Sequence, residues 1–343
     1  MSLLGTYNLT LLDAVKRRDP NGSQAKIVEM LDQMNEILKD MVWRPTNGVD
    51  VHKTTLRTSL GEAYFKLMNL GTRMSKSTTA QITETCAKIE RWQEVDKDLV
   101  DQEDDKEAFL MSETAPAIEK LGETLARYLF YGNKATEPEA FTGLAPRMNA
   151  LTGDAAKNII SASGSGSDNT SIWFVIWGEQ TVHGIYRKNL PAGLQVDDKG
   201  AVTTDRSDGT AQRLLDVYRQ KYSWECGLAM RDWQGVARIC NIDISNLRSF
   251  SSAANLNEKM IQAYHRILRK KGSGKAAIYM NSDVAMALDL QRTRIQNSAA
   301  SDTGVNLGGG ISMDMIDGEM RYTFRGIPIR IVDQLVNTEA AVA

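Results

Sequence analysis

Leu125-Ala126-Arg127-Tyr128-Leu129-Phe130-Tyr131-Gly132-Asn133, followed by Phe141-Thr142-Gly143-Leu144-Ala145, is the stretch on which the fold turns. It closes the longest helix that the sequence predicts. Ile118, Leu121, Leu125 and Tyr128 recur at three and four residues and mark one apolar face. Tyr131-Gly132-Asn133 supplies the stop, a glycine just past the last periodic residue. Upstream, the acidic run from Glu94 to Glu107 is expected to open this helix, where carboxylates meet unpaired N–H groups and the positive end of the dipole. Pro116 is expected to bend the helix or divide it in two, because it lacks an N–H and crowds the preceding turn.

Working toward the N-terminus, Asp50 to about Asp96 is threonine-rich and only weakly alternating, with Asn69-Leu70-Gly71 as its turn. Lys53, Arg57, Lys66, Arg73, Lys76 and Lys88 leave few continuous apolar faces, which suits an extended hairpin better than a strand pair buried in a sheet. Before it, a helix from about Ser23 to Val42 is signalled by Asn21 and Gln24 at capping-box spacing and by Ile27, Met30, Met34, Ile37 and Met41 on one stripe. Pro45 is expected to stop that helix. A shorter one, Thr10 to Arg17, ends at Asp19-Pro20-Asn21-Gly22.

Toward the C-terminus, Ala162 to Ser171 is rich in Gly and Ser and reads as a flexible connection. Ile172–Trp177, Gly184–Arg187, Tyr222–Arg231 and Gly235–Ile244 read as strands, with turns at Asp197-Asp198-Lys199-Gly200 and at Asp205 to Gly209. Asn255 and Glu258 form a capping box for a helix carrying Ile261, Tyr264 and Leu268, which ends at Arg269-Lys270-Lys271-Gly272. A strand at Ala276–Met280, a helix from about Ser282 to Arg292 and a polar loop from Gln296 to Gly310 follow. Asp317-Gly318 is the strongest hairpin signal in the chain.

The chain has 343 residues, 42% of them hydrophobic and 24% charged, ordinary values for a folded protein with a sizeable core. Its formal net charge of −2 gives no global basic field for wrapping nucleic acid, although it leaves a local patch open. No apolar run reaches membrane-spanning length, and Met1 to Thr10 lacks the pattern of a secretory signal, so neither a membrane partner nor secretion is expected. Cys86, Cys226 and Cys240 show no CxxC spacing and read as reduced buried thiols.

No reaction centre emerges, and no catalytic, cofactor-binding or metal-ligating residue is assigned. Gly272-Ser273-Gly274-Lys275 lacks the upstream glycine and the Ser or Thr of a phosphate loop, and it lies between a helix and a strand in the wrong order. Gly164-Ser165-Gly166 is not a nucleophile elbow. His52, His183 and His265 stand apart, and Asp101, Asp104 and Asp105 lack the glycine and closing glutamate of a calcium loop.

Three stretches together resemble the major capsid proteins of tailed bacteriophages, which share the Hong Kong 97-type shell fold. The opening stretch with its Gly143-Leu144 pair is similar to the end of that family's spine helix. Trp173-Phe174-Val175-Ile176-Trp177-Gly178, running on to His183-Gly184-Ile185-Tyr186, resembles a strand-turn-strand segment of one subgroup. Phe324-Arg325-Gly326-Ile327-Pro328-Ile329-Arg330 with Asp333 is like the closing strand, with Ile327, Ile329 and Ile331 on one face.

The resemblance implies an α+β fold laid out as an N-terminal arm (1–48), an extended E-loop-like hairpin (49–96), a spine helix with the start of a peripheral domain (97–165), a mixed α/β axial-type domain (166–315), and a closing hairpin with its tail (316–343). It implies a structural subunit and not an enzyme, assembling with itself into pentamers and hexamers of an icosahedral head shell that encloses phage DNA. The virion would be its location and the host bacterial cytoplasm its place of assembly. Packaged double-stranded DNA in non-specific contact, portal and decoration proteins are the implied partners. The arm is shorter than the scaffolding segment with which some members begin, so scaffolding is expected from a separate protein or not at all. The loop's assembly residues would be Lys66, Leu67, Met68, Asn69, Leu70, Gly71 and Met74. An encapsulin-like compartment and an unrecognised hydrolase are the alternatives.

Overall fold

The computed structural model describes residues 36–342, apart from 50, 103–104, 154, 206–213, 250–255, 300–310 and 317–318. In chain order, α1 (Ile37–Asp40) leads to β1 (Trp43–Pro45) and to the strands β2 (Val51–Ser59) and β3 (Thr78–Thr85). Next come β4 (Ala87–Asp96), α2 (Lys97–Asp101) and α3 (Lys106–Tyr131). Then follow β5 (Ile159–Ser161), β6 (Asn169–Trp177), β7 (Val182–Tyr186), β8 (Leu194–Asp205), β9 (Leu214–Met230) and β10 (Val236–Asp243). The remaining elements are α4 (Ile244–Ser249), α5 (Leu256–Ile267), β11 (Lys275–Met280), α6 (Ser282–Ala299), β12 (Ile311–Ile316), β13 (Glu319–Phe324) and β14 (Ile327–Ile331). Helices and strands mix without regular alternation, and the fold class is α+β.

The described chain forms two units, one from Lys88–Leu125 and Gly193–Glu225, the other from the remainder. In the larger unit β6 is buried at every position, as its continuous apolar run requires. It pairs antiparallel with β10 on one side (Trp173 opposite Arg238) and with β11 on the other (Phe174 opposite Ile278). β14 runs parallel to β11, and β13 and β12 extend the sheet from there. β7 carries both β1 and the Cys226–Met230 end of β9. One face of β6 and β11 packs against α5 and α6 through Met260, Ala263, Ile267, Val284 and Leu288. Full burial of each larger side chain among them favours folding by about 1.5–3 kcal/mol.

On the other face Phe130, from the end of α3, meets Trp173 and Tyr279 with ring centroids 6.1 and 6.0 Å apart. The termination of α3 explains why its sequence is so particular. The last carbonyls of a helix have no partner within it. Here Leu144 N–H donates to the Leu129 carbonyl at 2.9 Å, and Gly132 N–H to Tyr128 at 2.9 Å. Gly143 lies so close that a Cβ on it would stand 2.6 Å from the Tyr128 oxygen and 2.8 Å from that of Leu129. The aromatic-Gly turn and the later Gly-Leu pair are therefore two halves of one cap.

In the smaller unit β8 and β9 form an antiparallel ribbon from Leu194 opposite Trp224 to Asp205 opposite Leu214, with β4 on the far side of β9. Ala117 and Leu121 pack with Tyr222, while Phe109 packs with Val95 and Val100.

Several local expectations are corrected. The acidic run does not open one helix: Glu94 and Asp96 end β4, and Asp96 caps α2 through the Asp98 N–H at 3.0 Å. Asp105 then receives the Ala108 N–H at 3.0 Å at the start of α3. Pro116 does not divide α3. Phe109 packs before it, and Ala117 and Leu121 after it, so packing outweighs a local cost of about 3 kcal/mol. Pro45 is not a helix stop, since the helix has already ended at Asp40 and Pro45 closes β1 opposite Tyr186. Ala162 to Ser171 is no flexible connection: its last three residues begin β6, and Gly164 N–H donates to the Asn241 carbonyl at 2.8 Å. Asp197–Gly200 is a bulge inside β8, with Gly200 at φ +65°. The Thr10–Arg17 helix, the stripe through Ile27, Met30 and Met34, the Asn255 cap and the turns at 206–209 and 317–318 lie outside the described residues.

Candidate assembly surface

β2 and β3 pair antiparallel from Val51 opposite Thr85 to Ser59 opposite Thr78, and no third strand joins them among the described residues. Thr-rich strands with few apolar side chains make this pairing without needing a deep core. Beyond the strands, residues 60–77 project as an irregular loop in which every residue is exposed. Lys66, Leu67, Met68, Asn69, Leu70, Gly71 and Met74 all lie in it. Leu70 N–H donates to the Leu67 carbonyl at 3.2 Å, and Asn69 takes φ +64°, a left-handed conformation that asparagine tolerates. Ser75 exchanges hydrogen bonds with the Glu62 backbone at 2.9 and 2.6 Å and draws the loop's two sides together.

The apolar content of this loop is its main property. Leu60, Phe65, Leu67, Met68, Leu70 and Met74 are all largely exposed. So many large apolar side chains exposed in one loop are unusual on the surface of a folded chain. Leu60 and Phe65 escaped the sequence reading, because a single apolar residue outside a periodic run carries no sign of being exposed.

The root of the hairpin is built differently. Glu84 on β3 is buried and accepts both terminal nitrogens of Arg147, Nη2 to Oε2 at 2.8 Å. Arg147 also donates to the carbonyls of Gly143 (3.0 Å), Thr142 (2.9 Å) and Leu228 (3.2 Å). The residues that cap α3 thus also hold the arginine that holds the hairpin. Lys134 Nζ reaches Thr85 Oγ1 at 3.2 Å. A Cβ on Gly227 would stand 2.8 Å from the Thr85 carbonyl, so the strand crosses there only because a glycine admits it. His52 on β2 meets His183 on β7 edge to face, with ring centroids 5.4 Å apart. Burial, then His52, Arg231 and Arg44, lower the His183 pKa to about 4; burial and Arg231 also lower that of His52. Both rings are therefore neutral near pH 7.

A second polar cluster lies deep in the larger unit. Arg238 donates to Glu339 at 2.8 Å, to the Met148 carbonyl at 2.8 Å and to Ser171 at 3.1 Å, with its guanidinium 4.9 Å from the Trp173 ring centre. Tyr131 also donates to Glu339, at 2.5 Å, and burial followed by that carboxylate raises its pKa. Asn241 clasps the backbone of Val342 through both its amide groups, at 2.8 and 2.9 Å. These contacts fix the tail on the core. Among the described residues no three His, Cys, Asp or Glu side chains converge as metal ligands, and no helix is long and apolar enough to cross a membrane.

The profile of the family described as Major capsid protein GP7 matches residues 19–343. The chain is similar to a chain of the near-atomic structure of bacteriophage Epsilon15, with 35% identity and a TM-score of 0.74, covering 100% of this chain and 99% of that one. The SrpI encapsulin of Synechococcus elongatus PCC 7942 has 13% identity and a TM-score of 0.45, covering 68% of this chain and 96% of that one. The bacteriophage JBD30 capsid has 8% identity and a TM-score of 0.44, covering 89% of this chain and 92% of that one. Those two likenesses are too weak to argue from, so the compartment alternative gains nothing. No protein of curated function matches.

Proposed function

The chain belongs to the Major capsid protein GP7 family, a structural subunit of a bacteriophage shell, and on that premise we propose how it joins its neighbours. The shell is icosahedral and made from copies of this chain, and the protein's place is the virion. In the proposal the copies form pentamers and hexamers. Residues 49–96 act as the extended loop, and its tip, Lys66 to Gly71 with Met74, packs on an adjacent subunit. Residues 1–48 serve as an arm, 97–165 as spine helix and start of a peripheral domain, 166–315 as an axial-type domain and 316–343 as closing hairpin and tail. The shell assembles in the host bacterial cytoplasm and holds double-stranded DNA by non-specific contacts. A separate scaffolding protein, a portal and decoration proteins complete the head, and the subunit itself catalyses no reaction.

The observation carrying this reading is the exposed apolar tip on a hairpin whose root is tied by Arg147 and Glu84. A chain that must stay soluble has no use for six such side chains unless something covers them. Repetition around a shell turns a modest contact into a strong one.

The test replaces Lys66 to Lys76 with a short Gly-Ser turn. Folding should change little, because exposed substitutions typically shift stability by about 0.5 kcal/mol or less each. The variant should keep its circular dichroism and melting temperature yet build no closed particles in negative-stain images. Normal shells would refute the assignment of the tip. An unfolded variant would return the loop to the subunit's core.

A further inference from the structure

We infer that the surface where α5 ends beside the β13–β14 turn is a phosphate-binding face for duplex DNA. The inference rests on the reading that the shell encloses such DNA, and it names residues that this reading leaves unassigned. Arg266, Arg269, Lys270 and Lys271 fall in the last turn of α5 and the 3-10 turn after it, Leu268–Ser273. Arg325 joins them from the β13–β14 turn: its Nη1 lies 3.4 Å from His265 Nε2, and its backbone carbonyl lies 3.4 Å from Lys271 Nζ. Among the described residues only Lys270 of these cations meets a carboxylate, Asp232 at 2.7 Å. In a chain of net charge −2 this is a marked local excess.

Helix-end electrostatics explain part of the cluster. Cations at a helix C-terminus complement its dipole, which accounts for Lys270 and Lys271. Arg325 has no such reason to be there, because it comes from a different element and adds like charge to an already basic surface. Its backbone makes the choice stranger. Arg325 and Gly326 have φ +51° and +74°, as a two-residue hairpin turn requires, and such turns favour Asn before Gly. The guanidinium is nevertheless held in place, 5.3 Å from the Tyr264 ring centre, with Lys271 Nζ 5.1 Å from the same ring. A tyrosine thus orients two cations side by side, Arg325 exposed and Lys271 half-buried. A duplex carries one negative charge per about 1.7 Å of axis, and neighbouring cations that repel each other are stabilised together by such a polyanion.

The test measures binding of unassembled full-length subunits to a short mixed-sequence duplex as salt is varied. The double variant K271Q/R325N keeps a residue suited to the left-handed position, and its melting temperature shows whether it folds. R127Q, on the exposed face of α3, serves as the control. Each lost phosphate contact lowers the slope of log K against log salt by about 0.9, so the double variant should lose about 2 and the control nothing. Equal slopes for the wild-type and double-variant proteins would overturn the inference. So would a wild-type chain that ignores the duplex but binds polyglutamate through the same residues, which would make an acidic protein the partner. If K271Q/R325N does not fold, R325G, which relaxes the turn, is measured instead against a slope loss of about 1. Shells imaged in parallel separate the two readings: a variant that assembles normally but loses slope leaves the function intact, whereas a wild-type chain that never forms shells removes it.

Discussion

Arg147 grips both carboxylate oxygens of Glu84, which lies 63 residues earlier, and neither side chain is more than 14% exposed. Removing one partner strands the other charge away from water. Glu84→Leu should therefore cost about 3 kcal/mol, read as a lower urea midpoint. Arg147→Lys keeps the charge but loses the fork that matches a carboxylate, and should fall between that variant and wild type. Unchanged midpoints in both would mean that the hairpin root is held by something else.

Gly143 should tolerate no side chain. Its Cβ would press on the backbone oxygens of Tyr128, Leu129 and Phe130, which belong to a helix and cannot turn aside. Gly143→Ala is expected to lower stability by about 1–3 kcal/mol, as overpacking does, and to expose the end of α3 to faster amide exchange. A melting curve superimposable on that of the wild type would show that the cap has slack.

Acid should weaken the subunit through His183. Its folded pKa of about 4 lies below the ordinary 6.5, so the unfolded chain takes up a proton that the folded one refuses. The contribution of the neutral ring is complete above pH 6.5, falls as the pH drops toward 4, and changes no further below it. The full span is about 3 kcal/mol. His183→Gln should remove this part of the pH dependence, seen as a flatter stability curve for the variant than for the wild type from pH 7 to 4. Parallel curves would contradict it.

Glu339 should matter more than its place in the tail suggests. It answers Arg238 in a site where both side chains are 4% exposed. Glu339→Ala leaves that guanidinium unpaired and should cost about 3–5 kcal/mol in chemical denaturation. The double variant Arg238→Met with Glu339→Leu should recover much of the loss, because an apolar pair needs no compensation. If the double variant is as weak as the single one, the network is more than a charge pair.

Features with local causes were legible in the sequence. The unbroken apolar run of β6 gave a buried strand, and Asn69 adopts a left-handed backbone within the turn expected at Asn69-Leu70-Gly71. The loop residues Lys66 to Gly71 and Met74 followed from the resemblance, with the Asn69-Leu70-Gly71 turn marking the tip. What stayed hidden depends on distant partners. Trp43-Arg44-Pro45 is a strand only because Gly184–Tyr186 lies beside it, and nothing near Glu84 announces Arg147. The acidic run misled because carboxylates favour any helix start, and two successive starts share this one. Gly164 resembles a linker residue by composition, yet it is held by the Asn241 carbonyl and crowded by Asp243 across the sheet.

A closed container made of identical pieces asks one joint to serve at more than one angle, since curvature is not uniform over an icosahedron. The contrast within the β2–β3 hairpin meets that demand. Below Ser59 and Thr78 its path is dictated by a salt bridge, paired rings and a glycine crossing; above them a serine clasp and one turn are most of what shapes it. Methionine and leucine at the tip fit uneven surfaces without demanding one geometry. In the proposed assembly the subunit therefore separates aim from grip: the root decides where the loop points, and the tip settles into whichever neighbour it finds there.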